Sequence, residues 1–141
     1  MLDRTSFIRH GLLSAPNLLT LTPSTLEGKW LVLYFSASWC APCRAYTPQL
    51  NQLAGEVDRS KVDFIFVSCD RSEDAFNGYF GTKMSNLWAI PFSSVVREEL
   101  QALCKVRGIP AVVVISPEDQ IITTQGRRLL NKAYVESLIK Q

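Results

Sequence analysis

The segment Trp30-Leu-Val-Leu-Tyr-Phe-Ser-Ala-Ser-Trp-Cys-Ala-Pro-Cys43 decides the fold of this chain. It opens with six consecutive apolar residues, Trp30 to Phe35, and such a run suits a central strand buried on both faces, as in parallel sheets. The residues after it, Arg44 to Val57, carry apolar side chains at helical spacing. The segment therefore predicts a buried strand, a loop with two cysteines, and a helix with one apolar side.

The two cysteines have the spacing of a redox pair. At the start of a helix, unpaired backbone N–H groups and the helix dipole stabilise a thiolate at Cys40. Ala41 and Pro42 bring Cys43 back within one turn, near enough for a disulfide, and proline is tolerated so early in a helix. An accessible thiolate attacks a substrate disulfide, and the shielded thiol resolves the mixed disulfide. We therefore expect a redox-active Cys40–Cys43 disulfide and no other cofactor.

A zinc half-site and an inert pair are the alternatives for this motif. Zinc needs two more ligands at suitable spacing, whereas Cys69 and Cys104 are single and His10 is the only histidine. Four cysteines in 141 residues are also too few for a disulfide scaffold. We expect no metal site.

The remaining elements alternate between strands and helices. This alternation predicts an α/β fold with a central mixed β-sheet sandwiched by helices, in a single domain over residues 1–141. The predicted elements are a helix at Thr5–Leu13, an edge strand at Asn17–Thr22, a strand at Val62–Val67, a helix at Ser72–Phe80, a loop or short strand at Trp88–Phe92, a helix at Ser94–Val106 closed by Gly108, a strand at Ala111–Ile115, a turn at Ser116–Asp119, a strand at Gln120–Thr124 and a helix at Asn131–Lys140.

The composition restricts the classes of partner and compartment. A formal net charge of +2 is too small to indicate a nucleic-acid footprint, which needs a clustered basic face. The longest apolar run, Trp30 to Phe35, is far shorter than the roughly 20 residues that cross a bilayer. Met1 to His10 lacks the apolar core of a secretory signal and resembles a mitochondrial presequence only faintly. We expect a cytoplasmic protein, in preference to a mitochondrial one, that binds neither nucleic acid nor membrane.

Several motifs together resemble the thioredoxin superfamily, and more narrowly the tryparedoxins and nucleoredoxins. They are Leu33-Tyr-Phe-Ser-Ala-Ser-Trp-Cys-Ala-Pro-Cys-Arg44, Thr47-Pro48, Val67-Ser68 with Asp70, Asp74-Ala-Phe-Asn-Gly-Tyr-Phe80, Leu87 to Phe92, and Gly108-Ile-Pro110. The resemblance covers roughly residues 25 to 128. It implies a thioredoxin fold and a thiol-disulfide oxidoreductase that reduces protein disulfides with electrons from a low-molecular-weight dithiol.

The resemblance also implies roles for individual residues. Cys40 would be the nucleophile and Cys43 the resolving thiol. The implied substrate-binding residues are Trp39, Ala41, Pro42, Ile109, the cis-proline Pro110, and Arg127 on the rim that binds the donor. Trypanothione or a glutathione-like thiol is the implied donor, peroxiredoxin-type peroxidases are implied acceptors, and a monomer is expected. A redox-sensing, nucleoredoxin-like binding module and a disulfide isomerase are the alternative functions.

Three features depart from the tryparedoxin pattern. The family has two prolines between the cysteines, where this chain has Ala41 and Pro42. Cys69 stands where a tryptophan is usual, which weakens the assignment of trypanothione as the donor. The segment Asn131 to Gln141 resembles an ordinary thioredoxin helix rather than a Pro-rich tail.

Tyr34 occupies the place where ordinary thioredoxins carry a buried aspartate that moves the proton of the resolving thiol. A phenol with a pKa near 10 is a poor base at neutral pH, so we expect no carboxylate route through this position. Water or Glu73 would take the role, although Glu73 also suits a simple helix charge in a first turn.

Four further side chains have two interpretations each, and a fifth, Cys104, has one. Cys69 ends a predicted parallel strand, so it is either an extra redox thiol or a small buried hydrophobe. Cys104 lies on the apolar side of a helix and is expected in the core. Trp88 and Phe92 suit a substrate rim or a cover for the core. Arg128, with Arg127, suits a grip on a glutathionyl carboxylate or a solvated pair.

Overall fold

The computed structural model describes residues 2–15, 19–21 and 26–141. Their strands are β1 (Leu12–Ser14), β2 (Leu19–Leu21), β3 (Trp30–Ser36), β4 (Val62–Ser68), β5 (Trp88–Ala89), β6 (Ala111–Ile115) and β7 (Ile121–Thr123). Their helices are α1 (Arg4–Phe7), α2 (Ala41–Ala54), α3 (Glu73–Lys83), α4 (Val96–Leu103), α5 (Gly126–Leu129) and α6 (Lys132–Ile139).

The strands of the described residues form one sheet in the order β2-β1-β5-β4-β3-β6-β7. The central strand β3 runs parallel to β4, with Ser36 opposite Ser68, and antiparallel to β6. β6 and β7 form the predicted hairpin, and β2 lies at the opposite edge. The predicted mixed sheet is therefore confirmed, as is the edge strand, although its predicted ends Asn17, Leu18 and Thr22 lie outside the described residues.

Two apolar cores cover the faces of the sheet because side chains alternate along each strand. In β3, Val32 and Tyr34 face one core, which also contains buried residues of α2, α3 and α6. Leu31 and Leu33 face the other core, which contains residues of α1 and α4. The unbroken apolar run thus marks a strand buried on both faces, as the sequence predicted. No helix of the described residues is long and apolar enough to cross a membrane.

The predicted N-terminal helix at Thr5–Leu13 is wrong over most of its length. The helix covers only Arg4–Phe7, and Gly11 then takes a left-handed backbone conformation (φ 83°) that turns the chain. Leu12–Ser14 forms strand β1, which pairs with both β2 and β5. Pairing with neighbours distant in sequence outweighs the local helical pattern here.

The predicted end of the fourth helix at Gly108 is also wrong. α4 ends at Leu103, and Lys105 is left-handed with φ 54°. The N–H of Val106 donates to Gln101 O at 2.9 Å and the N–H of Lys105 donates to Ala102 O at 3.1 Å, which is a Schellman ending. A lysine therefore occupies the position where glycine is usual. The short helix α5 was not predicted, and the other elements lie within a few residues of their predicted bounds.

Candidate active site

Cys40 and Cys43 form a disulfide at the N-terminus of α2, with their Cα atoms 5.2 Å apart. Cys40 caps the helix, and its Sγ accepts a hydrogen bond from the N–H of Cys43 at 3.3 Å. Cys40 is 6% exposed and Cys43 is completely buried. A helix N-terminus favours negative charge, so the more accessible sulfur is the one whose thiolate the backbone stabilises.

One carboxylate holds the loop that precedes Cys40. Asp70, after the end of β4, accepts hydrogen bonds from the N–H and Oγ of Ser38 at 2.8 and 2.6 Å through Oδ1. Its Oδ2 accepts from Ser68 Oγ at 2.7 Å, and the N–H of Asp70 donates back to that hydroxyl. The side chain is only 6% exposed. Asp70 thus fastens the loop after β3 to the end of β4.

The backbone before Pro110 faces the disulfide. The Ile109–Pro110 peptide bond is cis, as the resemblance implied. The carbonyl oxygen of Ile109 lies 3.8 Å from Cys40 Sγ. Beside this contact is a cavity of about 590 Å³, which we call the dithiol groove, and its walls include Trp39, Cys40, Pro42, Cys69, Arg107 and Ile109.

Trp39 is the large exposed side chain of the site, at 52% exposure. Its Nε1 donates to Cys69 O at 3.4 Å, and the guanidinium of Arg71 lies 4.8 Å from the centroid of its ring. These two contacts orient the indole at the edge of the dithiol groove. The predicted substrate-binding residues Trp39, Ala41, Pro42 and Ile109 therefore all line one cavity with Cys40, and their role in binding stays a prediction.

A chain of buried hydroxyl groups lies beneath Cys43. Tyr34 is completely buried, and its hydroxyl donates to Cys43 O at 3.1 Å and lies 2.7 Å from Thr47 Oγ1. Thr47 Oγ1 lies 2.6 Å from the hydroxyl of Tyr79, which lies 2.8 Å from Ser36 Oγ. The chain joins β3, α2 and α3 directly below the dithiol. It contains no carboxylate.

The structure supports the expectation that Tyr34 is not a base. Burial raises the pKa of Tyr34 well above its ordinary value, so the phenol stays protonated at neutral pH. Glu73 is exposed in the first turn of α3, and within the described residues no hydrogen bond joins it to the dithiol. Asp70 is occupied by its serine donors. Among the described residues, no carboxylate therefore forms a hydrogen bond with Cys43 in the oxidised protein.

Cys69 lies next to the dithiol. It is partly exposed, packs against the cluster that contains Cys40 and Cys43, and lines the dithiol groove. Burial is the main cause that raises the pKa of its thiol, and the nearby guanidinium of Arg97 only partly opposes the effect. A thiol that stays protonated at neutral pH is a weak nucleophile, which favours the packing interpretation over an additional redox thiol.

Arg127 does not line the dithiol groove. It is exposed on α5, and it borders a neighbouring cavity that also includes Pro110 and Arg128. Its charge partly opposes the rise in the pKa of Tyr46 that burial causes. The structure therefore brings Arg127 near the cis-proline but not against the disulfide, and its predicted role at the donor rim stays a prediction.

The remaining candidates belong to the core. Cys104 is buried in the second core, and burial raises the pKa of its thiol to about 11. Trp88 is partly buried against the same core and donates to Asp63 Oδ1 at 2.9 Å. Phe92 packs against the first core and carries the guanidinium of Arg97 4.0 Å above its ring. The core interpretation therefore holds for all three predicted residues.

No group of three or more His, Cys, Asp or Glu side chains in the described part of the chain is arranged to hold a metal ion. His10 is engaged elsewhere, since its Nδ1 lies 2.7 Å from Ser94 Oγ. The residues that the sequence analysis left without a role at the site are Ser38, Ser68, Thr47 and Tyr79. The placement of Asp70 directly after a parallel strand was the available signal for the first two, because loops at the carboxyl ends of such strands meet.

Comparisons with known proteins agree with this geometry. The family model described as Thioredoxin-like matches residues 28–121. Nucleoredoxin from Bos taurus is 41% identical over 111 residues, which are 77% of this chain and 25% of that protein. Tryparedoxin I from Leishmania major has a TM-score of 0.77 and 34% identity, covering 88% of this chain and 85% of that one. Tryparedoxin II complexed with glutathionylspermidine has a TM-score of 0.77 and 32% identity, covering 88% of each chain.

The chain spans only a quarter of the length of that nucleoredoxin. The similarity nevertheless extends over the strand, the two cysteines and the cis-proline that form the site, since all of them lie within residues 28–121. The predicted thioredoxin fold and the resemblance to tryparedoxins and nucleoredoxins are confirmed. The chain belongs to the thioredoxin-like family, and it is similar to tryparedoxins and nucleoredoxins of the thioredoxin superfamily.

Proposed function

We propose that this protein is a protein-disulfide reductase whose catalytic residues are Cys40 and Cys43. The observation that carries the proposal is the asymmetry of the pair at the start of α2. Cys40 Sγ borders the dithiol groove and accepts a hydrogen bond from the helix backbone, whereas Cys43 is buried behind it. This arrangement supplies one nucleophile and one resolving thiol.

The reaction transfers two electrons in two exchanges. The Cys40 thiolate attacks one sulfur of a substrate disulfide, so a Cys40–substrate disulfide forms and the other substrate sulfur leaves as a thiolate. The Cys43 thiolate then attacks Cys40 Sγ, which releases the second substrate thiol and leaves the Cys40–Cys43 disulfide. A donor with two thiols reverses these steps and is itself oxidised to a disulfide.

We propose trypanothione or a glutathione-like thiol of low molecular weight as the donor; with a monothiol, two donor molecules are oxidised to one disulfide. The structure of tryparedoxin II in complex with glutathionylspermidine supports this class of compound. The exposed guanidinium of Arg127, in the cavity beside Pro110, is available to pair with a carboxylate of such a donor. Peroxiredoxin-type peroxidases are the proposed class of protein substrate.

Insulin reduction tests the proposal. With dithiothreitol as the donor, the protein should turn over continuously, and Cys40→Ser should abolish turnover. Cys43→Ser should instead accumulate a mixed disulfide through Cys40, detectable by mass spectrometry without reductant. Cys69→Ser and Cys104→Ser are matched controls that should keep turnover. If each protein molecule reduces one insulin disulfide and then stops, the result would contradict an enzyme and favour a redox-sensing binding module.

Two further measurements refine the proposal. Trypanothione, glutathione and a thioredoxin-reductase system are compared as donors, and saturable turnover with the small thiols would support the proposed donor class. The reduction potential of Cys40–Cys43 separates a reductase from an isomerase. We expect a value near the −270 mV or so of thioredoxin, and a value of about −120 to −180 mV would contradict a reductase.

A further inference from the structure

A second cavity, of about 570 Å³, lies beside the dithiol groove. Its walls include Pro110 and four cationic side chains, Lys105, Arg107, Arg127 and Arg128. All four are exposed, and among the residues that the structure describes no Asp or Glu lines the cavity. We call it the cationic cavity.

The four cations have no partner within the part of the chain that the structure describes. None of them forms an ion pair there, and none of their side chains donates a hydrogen bond. By contrast, the ion pairs that the structure does contain use Arg4, Arg9, Lys29 and Arg59 on other parts of the molecule. The cationic cavity therefore keeps its charge available for a ligand.

The cationic cavity adjoins the dithiol groove. Val106, Arg107 and Gly108 line both. The segment that separates them leads directly to Ile109, whose carbonyl faces Cys40 Sγ at 3.8 Å, and to Pro110. A chain bound in the dithiol groove with its cysteine at Cys40 would therefore continue past these cations.

Cationic side chains, rather than acidic ones, line the cavities beside the dithiol. A third cavity, bordered by Ala41 at the other side of the motif, carries Arg44 and Lys83 and again no carboxylate. The three cavities thus contain six of the fifteen Lys and Arg and none of the thirteen Asp and Glu, leaving nine cations and all thirteen acids elsewhere. The walls of these three cavities therefore carry six cations and, among the described residues, no carboxylate, although the net charge of the chain is only +2.

We propose that the cationic cavity binds an acidic polypeptide segment of the protein substrate, next to the cysteine that Cys40 attacks. This inference rests on the proposed disulfide reductase and adds the substrate class. A polypeptide is the occupant because the cationic cavity shares Val106, Arg107 and Gly108 with the dithiol groove, at which a cysteine-bearing chain reacts. Charge complementarity across such an exposed surface mainly raises the rate of encounter and selects among substrates.

Lys105 and Arg128 are the cations to change, because Arg107 also lines the dithiol groove and Arg127 is the proposed contact for the donor. Lys105 also occupies a left-handed position, φ 54°, where glycine is usual at a helix end. The chain therefore keeps a cation at the cavity in place of the residue that best fits the backbone.

A single-turnover assay tests the proposal without any donor. Two peptides each carry one cysteine as a mixed disulfide with thionitrobenzoate, flanked by Glu in one peptide and by Gln in the other. Attack by reduced Cys40 on the peptide sulfur expels the coloured thionitrobenzoate thiolate, and Cys43 then releases the peptide as a thiol. At low ionic strength the Glu peptide should react about three- to tenfold faster, since exposed ion pairs are individually weak but act together.

The rate ratio between the two peptides should fall close to one in about 1 M salt and in the double variant Lys105→Gln/Arg128→Gln. The matched control Lys132→Gln/Lys140→Gln, which removes two exposed cations of the C-terminal segment, should keep the ratio. Measuring both peptides on each variant separates charge recognition from folding, because misfolding slows both alike.

Three results would overturn the proposal. Equal rates for the two peptides on the unaltered protein would contradict the preference for acidic substrates but would leave the proposed reductase activity standing. Equal rates together with an oligonucleotide that binds through Lys105 and Arg128 would assign the cations to nucleic acid. If neither peptide expels thionitrobenzoate, the proposed function itself fails, and that result is distinct from equal rates.

Discussion

Replacing Asp70 by asparagine removes the contact that fastens the loop before Cys40. Three donors converge on this carboxylate: the N–H and hydroxyl of Ser38 at 2.8 and 2.6 Å and the hydroxyl of Ser68 at 2.7 Å. The asparagine amide keeps one acceptor oxygen and turns an NH₂ group toward at least one of these donors. Since the site is only 6% exposed, water cannot easily replace the lost acceptor.

The expected cost follows from those contacts. A hydrogen bond to a charged group contributes about 1.5–3 kcal/mol, and the rotating hydroxyls can adapt to part of the change. We expect Asp70→Asn to lower the free energy of unfolding by about 2–3 kcal/mol, which is roughly 4–12 °C in Tm for a domain of this size. The loosened loop should also slow the attack of Cys40 on a small disulfide, because the cap at Cys40 is less well held.

Calorimetry of the oxidised protein measures the first effect, and single-turnover reduction of a small disulfide measures the second. Glu118→Gln is the control, since it makes the same chemical change at an exposed position of the turn before β7. If Asp70→Asn melts within about 1 °C of the unaltered protein and reacts at the same rate, Asp70 does not hold the loop. If Glu118→Gln loses as much stability as Asp70→Asn, the loss cannot be attributed to the hydrogen bonds of Asp70.

Three other substitutions probe the surroundings of the site. Gly126→Ala would place a Cβ 2.7 Å from Val112 Cγ1 and 2.8 Å from the carbonyl oxygen of Val112. We therefore expect the free energy of unfolding, measured in urea, to fall by about 1–3 kcal/mol. In the control Gly78→Ala, the new Cβ has no neighbour within 4 Å, so the free energy of unfolding should not fall. Tyr34→Phe should lower stability by about 1 kcal/mol yet leave the pH–rate profile between about pH 6 and 9 unchanged, because the phenol is already protonated there; a shifted profile would show that it moves a proton. Burial raises the pKa of Cys104 from 9.0 to about 11, so its contribution to stability is complete below pH 9 and is lost as the pH rises through about 11. The free energy of unfolding should therefore decline less steeply between pH 9 and about 11 in Cys104→Ala than in the unaltered protein. Equal slopes for the two proteins would show that the Cys104 thiol is not the group that titrates.

The sequence predicted the parts of the molecule that local patterns encode. Trp30 to Phe35 and Val62 to Val67 carry the apolar runs of strands buried on both faces, and both strands lie at the centre of the sheet. The spacing of Cys40 and Cys43, between such a strand and a helix, predicted the disulfide. These features depend on neighbours in the chain, so periodicity and spacing are sufficient to find them.

The sequence did not predict features that depend on distant partners. Ser38 and Asp70 are separated by 32 positions, and only their places after two neighbouring strands, rather than a local pattern, indicate that they meet. The end of α4 at Leu103 likewise has no local signal, because Lys105 is an unusual residue for the left-handed position that ends it. β1 exists because it pairs with β2 and β5, against a local pattern that favours a helix.

The register between β3 and β4 links the two kinds of feature. With Ser36 opposite Ser68, the N–H of Cys69 donates to Ser36 O at 2.8 Å, and the loops that follow meet through Ser38 and Asp70. Because side chains alternate along a strand, a slip of β4 by one residue against β3 would move Asp70 out of reach of Ser38. The register in which these two buried strands pair thus also determines the geometry of the dithiol. The strand residues that form the core therefore help to position the reactive disulfide, in addition to the two cysteines themselves.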